Sequence, residues 1–255
     1  MKRREINLFK QTVPSESVHE ALNACYENIA FSTFPYLSYQ LSRSAHTLDK
    51  YHSGNCIAMT TFLKRFLQSN NYKVRSFIVP ASVPSIFRVE GTPDICHVSL
   101  LIPLTETSYY ILDPAFYFLE PLYVDTLNPE PYRVDSMNIH KQVHEPLIGQ
   151  YDGQRCVCYF EDIPTDRWSY EAYEVLDPDE SIGIHFLTHK PDPFLCKTTM
   201  IDGVPYKDYH LKMEHGNLIF IQDHREVYRG PPAKMPEELQ EVVEQHLFKY
   251  LRPMR

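Results

Sequence analysis

Between Cys56 and Gln68, apolar residues recur at three- and four-residue steps. Met59, Phe62, Leu63, Phe66 and Leu67 fall on one face, and the spacing predicts a helix. An earlier helix is predicted from about Ser17, where Ser17 and Glu20 stand at capping-box spacing and Val18, Leu22 and Cys25 form an apolar stripe. Pro35 ends or interrupts the segment after that helix. Beyond Asn70 and Asn71 the period changes, and Val74, Phe77, Ile78 and Val79 read as a strand. His97 to Pro103 is an apolar run, Thr105 to Ser108 is turn-like, and Tyr109 to Leu112 is short, aromatic and branched, which together predict a hairpin. Further strands are predicted at Cys156 to Phe160, Gly183 to Leu187, Leu195 to Ile201 and Leu218 to Ile221. A closing helix starts near Pro236, with Leu239, Val242, Val243, Leu247 and Tyr250 on one face.

This order predicts an α+β fold in three parts. Residues 1–75 form an N-terminal helical subdomain, 76–180 a central β-barrel-like or strongly bent sheet, and 181–255 a C-terminal α/β lid of strands and closing helix. A chain of 255 residues can bury a substantial core. With 43% hydrophobic and 23% charged residues, it belongs to the ordinary globular class and not the disordered one.

The net charge of -8 argues against nucleic-acid and anionic-membrane surfaces, which require clustered Lys and Arg. Lys2, Arg3 and Arg4 form the one basic cluster, and no apolar stretch comes after it that would make it a signal peptide. No run of about twenty apolar residues is present to span a membrane. The expectation is a cytoplasmic protein, a monomer or weak homo-oligomer, with small-molecule partners. Its six cysteines are scattered and read as reduced thiols, one of which can serve as a nucleophile. Cys156 and Cys158, even with Cys196 and His185, lack the second close pair of a zinc site, so no metal is expected.

Cys56 follows Gly54 and Asn55 and opens the strongest helix, where unpaired N–H groups and the helix dipole favour an anion such as a thiolate. Gly54 would let a substrate carbonyl approach closely. His97 begins one strand of the predicted hairpin and Asp113 comes just after the other, so the turn brings both to one sheet edge. In that arrangement the imidazole takes the thiol proton and the carboxylate holds its tautomer. Taken singly, Cys56 equally fits a small buried thiol, His97 a satisfied sheet histidine, and Asp113 a turn residue before Pro114. The order of nucleophile, base and orienter makes the combination informative.

That order resembles the papain-like architecture shared by transglutaminases and arylamine N-acetyltransferases, in which a helix carrying Cys packs on a sheet carrying His and Asp. The second family is also similar beyond the triad. Ile184 to Phe194, reading Ile, His, Phe, Leu, Thr, His, Lys, Pro, Asp, Pro, Phe, resembles its segment beside bound coenzyme A. The resemblance therefore implies that Phe186, Thr188 and Phe194 contact the cofactor portion of an acyl-CoA, acetyl or longer, used as co-substrate with no tightly bound cofactor. The terminal helix with Glu237, Glu238, Leu239 and Leu247 is similar too. Two stretches depart from the pattern. The family has Arg, Gly, Gly, x, Cys at the nucleophile where this chain has His52, Ser53, Gly54, Asn55, Cys56. After the aspartate, Val, Gly, Phe, Gly is replaced by Pro114, Ala115, Phe116, Tyr117. Gly54, Asn55 and Phe116 are accordingly expected to line a substrate site that differs from an arylamine pocket.

Three activities remain open to the sequence. They are acyl transfer from a thioester to an amine or hydroxyl, amide synthesis or hydrolysis on the same scaffold, and a binding protein that keeps the scaffold without the chemistry.

Overall fold

The structure, a computed structural model, describes residues 15–38, 41, 43–69, 76–82, 97–116, 118, 120–125, 150–151, 154–155, 158–159, 193–201, 204–223 and 225–251. Helix α1 (Ser15–Asn28) buries Val18, Ala21, Leu22, Cys25 and Tyr26, the predicted stripe carried on at helical spacing. Strand β1 (Ala30–Ser32) leads into α2 (Phe34–Leu37), whose first turn holds Pro35 at a position where the missing N–H has no partner to lose. Helix α3 (Ser44–Tyr51) stops at His52, which takes a left-handed φ of 48° and turns the chain into β2 (Ser53–Gly54). Helix α4 (Cys56–Ser69) begins two residues later.

Helices α1 and α4 share one core. Val18, Ala21 and Cys25 meet Met59, Leu63 and Leu67, and Leu100, Ile102 and Leu112 close the layer from the sheet below. Each of the Val, Leu, Ile and Met side chains among these contributes about 2 kcal/mol by burial. Truncating Leu63, which has no exposure, would cost about 2 to 5 kcal/mol. This packing holds the start of α4 over the end of the strand that carries His97.

The sheet below has five antiparallel strands, β3 (Phe77–Ser82), β4 (His97–Pro103), β5 (Ser108–Leu112), β6 (Leu122–Asp125) and β9 (Cys158–Tyr159), in the order β6-β5-β4-β3-β9. Two short strands, β7 (Gln150–Tyr151) and β8 (Gln154–Arg155), pair separately. The expected hairpin is present, with Leu100 opposite Leu112 and Pro103 opposite Tyr109. The expected barrel is not closed among the described residues. β6 pairs only with β5, and β9, two residues long, pairs only with β3, so the sheet keeps two edges.

The remaining strands, β10 (Phe194–Ile201), β11 (Val204–Glu214), β12 (Asn217–Gln222) and β13 (Arg225–Gly230), are joined by β1 and β2 in a six-stranded sheet ordered β13-β12-β11-β10-β1-β2. Segments 1–75 and 181–255 thus share a sheet. Thr33 and Phe194 exchange hydrogen bonds across it, and Ala30 and Phe34 pack with Leu195, Leu211 and Phe220. Helix α5 (Glu237–Leu251) adds Val243 and Leu247 to that core, with Leu239 packed at its margin, whereas Val242 of the predicted face is exposed. Lys197, almost fully buried on β10, donates to the carbonyls of Tyr26 and Glu27, two of those that α1 leaves unpaired at its end. No described helix is long and apolar enough to cross a membrane.

Candidate active site

Cys56 occupies the first turn of α4, and Asn55 is its N-cap. The Asn55 side-chain oxygen accepts from the N–H groups of Ile57 at 3.1 Å and Ala58 at 3.4 Å, while its carbonyl accepts the first helical bond from Met59. Cys56 is 4% exposed, with its own N–H among those that an α-helix leaves unpaired.

His97 opens β4 and shares a face with Ser99 by the two-residue period of a strand. Extending the β4–β5 register one step past Leu100 and Leu112 sets Asp113 opposite Ser99, diagonal to His97 and within reach of it. His97 Nε2 accordingly donates to Asp113 Oδ2 at 2.7 Å, with His97 5% exposed and Asp113 not exposed at all. The Ser99 hydroxyl lies 3.4 Å from the same ring nitrogen. The imidazole also hydrogen-bonds the Cys56 side chain, so the structure brings all three predicted residues together.

Electrostatics derive from this enclosure. Burial disfavours the imidazolium, yet the charge and hydrogen bond of Asp113, with smaller help from Cys56, outweigh it and raise His97 from 6.5 to about 10. At neutral pH the ring is therefore a cation beside the sulfur, able to stabilise a thiolate and to return a proton to a leaving group. The carboxylate is held by its own turn. Pro114–Phe116 form a single 3-10 turn after β5, the N–H of Phe118 donates to the Asp113 carbonyl at 3.1 Å, and the Tyr26 hydroxyl on α1 donates to the Phe118 carbonyl at 2.6 Å.

Gly54 and Asn55 are enclosed by protein. A Cβ on Gly54 would lie 2.4 Å from Ala58 Cβ, 2.6 Å from Thr47 Oγ1 and 2.8 Å from the Tyr36 hydroxyl, so the glycine allows β2 to pack against α4 and a polar cluster. In that cluster the hydroxyls of Tyr36 and Ser44 donate to Asn55 Oδ1 at 2.9 and 2.8 Å, and the Tyr36 hydroxyl accepts the Asn55 N–H at 3.1 Å. Phe116 lies in the turn after Asp113. Phe194 opens β10 and stacks on Phe31 with ring centroids 5.3 Å apart, a packing role. Phe186 and Thr188 lie outside the described residues, as do Cys156 and His185, while Cys196 is buried on β10.

Tyr36, Ser44, Thr47 and Ser99 are the neighbours that sequence reasoning missed. Ser99 was within reach, two residues from His97 on the same face of a strand. The other three reach the site only through the turns of α2 and α3, which no local pattern announces. Two grooves lined by described residues lie elsewhere. One runs along α1 past His19, Asn23 and Phe66, the other between Lys50, His52 and Glu241, and neither includes a triad residue.

No protein-family model and no curated protein matches the chain. Solved structures do match. The arylamine N-acetyltransferase from Salmonella typhimurium aligns over 96% of this chain and 88% of its own at a TM-score of 0.56 and 14% identity. That from Mycobacterium abscessus aligns over 91% and 84% at 0.55 and 13%. The chain shares its fold with arylamine N-acetyltransferases. A further arylamine N-acetyltransferase, from Bacillus cereus, aligns over 96% and 94% at 0.50 and 12% identity, and is described as having a unique Cys-His-Glu catalytic triad. In the present chain the carboxylate on the histidine is an aspartate, Asp113. At these identities the likeness to the N-acetyltransferases is one of fold.

Proposed function

We propose that the protein is an acyltransferase working through an acyl-Cys56 intermediate, with an acyl-CoA as donor and an amine or hydroxyl compound as acceptor. The observation that carries the reading is the buried Cys56, His97 and Asp113 constellation at the start of a capped helix. Cys56 sulfur attacks the thioester carbonyl carbon. The new S–C bond forms as the bond to the CoA sulfur breaks, and the His97 imidazolium supplies the proton to that departing thiolate. The acceptor then attacks the acyl-enzyme, neutral His97 takes the acceptor proton, and the Cys56 thiolate is released. Asp113 holds the ring and balances its charge throughout. The Cys56 N–H and the positive end of the helix would favour the oxyanion, the N–H groups of Ile57 and Ala58 being taken by Asn55.

The donor portion of this reading rests on the resemblance of residues 184–194 to a coenzyme A segment, with Thr188 as the hydroxyl that would meet the donor. Release of free CoA from a panel of acyl-CoA thioesters tests it. Wild type should release CoA with at least one of them, Cys56→Ala with none, and Thr188→Val more slowly. No release by wild type with any thioester would overturn the donor assignment.

A further inference from the structure

Four donors converge on Asn55 Oδ1: the N–H groups of Ile57 and Ala58 at 3.1 and 3.4 Å and the hydroxyls of Tyr36 and Ser44 at 2.9 and 2.8 Å. Because backbone N–H groups can only donate, they fix which end of the amide is oxygen. The other end, Nδ2, is buried and has no hydrogen-bond partner among the described residues, in a side chain that is 1% exposed. A buried N–H left in this state costs on the order of 1 to 3 kcal/mol.

On stability alone the position suits an aspartate. Asp caps helices as well as Asn. Four converging donors and the positive end of a helix both favour an anion, and the orphaned N–H would disappear. What separates the two residues is a formal charge immediately before Cys56. A carboxylate there would disfavour a thiolate and compete with it for the positive helix end and for the His97 imidazolium.

We propose that Asn55 is a positioning residue for Cys56, capping the nucleophile helix with an uncharged oxygen so that the positive potential of the helix start and the His97 cation act on the sulfur. The inference rests on the reading of Cys56 as nucleophile and deepens it. Among the described residues, the titratable groups that interact with Cys56 from neighbouring elements are His97 on β4, with Asp113 behind it, and Tyr36 on α2. Tyr36 is pushed up to about 12, by burial above all, and remains a neutral donor across the range of the test.

The experiment is alkylation of Cys56 by iodoacetamide, in which the sulfur displaces iodide, with detection by peptide mass spectrometry from about pH 5 to 10. Wild type, Asn55→Asp and Asn55→Ser are compared, each with a thermal melt. Asn55→Asp should melt no lower than wild type, yet at the acid end of the range its alkylation should fall about tenfold. Asn55→Ser, a shorter but neutral cap, should melt lower and follow the wild-type profile. The proposal is overturned if the Asn55→Asp profile superposes on wild type, if that variant melts well below wild type, or if Asn55→Ser shifts as far as Asn55→Asp. A wild-type Cys56 that reacts no faster than in the urea-unfolded chain would instead sink the acyl-transfer reading, so the two failures are distinct.

Discussion

Asp113→Asn keeps the size of a fully buried side chain whose Oδ2 lies 2.7 Å from His97 Nε2, while it removes the charge and replaces one acceptor oxygen with an NH2 donor. Burial then dominates the ring and favours its neutral form. In wild type, folded His97 is raised from 6.5 to about 10, an interval that at about 1.4 kcal/mol per pH unit corresponds to roughly 5 kcal/mol of preference for the imidazolium in the fold. Because the folded value is the raised one, this contribution is fully present below about pH 6.5 and is lost as pH rises toward 10. The variant lacks it. Urea unfolding should therefore find Asp113→Asn less stable by about 3 to 5 kcal/mol at pH 6.5, as for other broken buried pairs, with the gap at least halved by pH 9.5. Turnover at neutral pH should fall by about 10³-fold or more, since the amide supports the wrong tautomer and cannot balance the cation. A stability gap that stays constant between pH 6.5 and 9.5 would refute Asp113 as the source of the charge on His97.

Gly54→Ala forces a methyl to within 2.4 Å of Ala58 Cβ and 2.6 Å of Thr47 Oγ1, so a melt should show a loss of about 1 to 3 kcal/mol, and Cys56 alkylation should slow as the helix start shifts. His246, fully buried on α5, donates from Nδ1 to the Tyr51 carbonyl at 2.9 Å, and burial depresses it from 6.5 to about 4. The unfolded chain takes up that proton first, so the protein should lose up to roughly 3 kcal/mol as pH falls from 6.5 to 4. In His246→Asn, which keeps a donor but does not titrate, that acid slope should be absent in urea unfolding at stepped pH. An unchanged slope would place the acid sensitivity in another group.

The parts of the fold legible in the sequence are those whose burial repeats locally. Helix α4 is announced by the spacing of Met59, Leu63 and Leu67, and the β4–β5 hairpin by two short apolar runs around a Thr- and Ser-rich turn. Strand β11 is absent from the predicted elements although Tyr209, Leu211 and Met213 alternate with His210, Lys212 and Glu214, the mark of a half-buried strand. Strands β1 and β2, three and two residues long, carry no period and exist because β10 offers an edge to β1 and β1 in turn offers one to β2. In the site, Cys56, His97 and Asp113 are legible because each sits at the end of a recognisable element. Gly54 and Asn55 are recognisable by type, but their neighbours Tyr36, Ser44 and Thr47 come from helices that only the tertiary fold brings close. A barrel is suggested by strand number, yet closure depends on pairing between edges, to which local patterns are blind.

The central claim is a covalent acyl-Cys56, and mass spectrometry of the protein after brief incubation with acetyl-CoA and longer acyl-CoA thioesters tests it most directly. An added acyl mass is expected on the peptide containing Cys56 in wild type, with its removal when an amine acceptor is supplied and no adduct in Cys56→Ala. An adduct that survives in Cys56→Ala, or its absence from wild type with every thioester while Cys56 still alkylates readily, would contradict it.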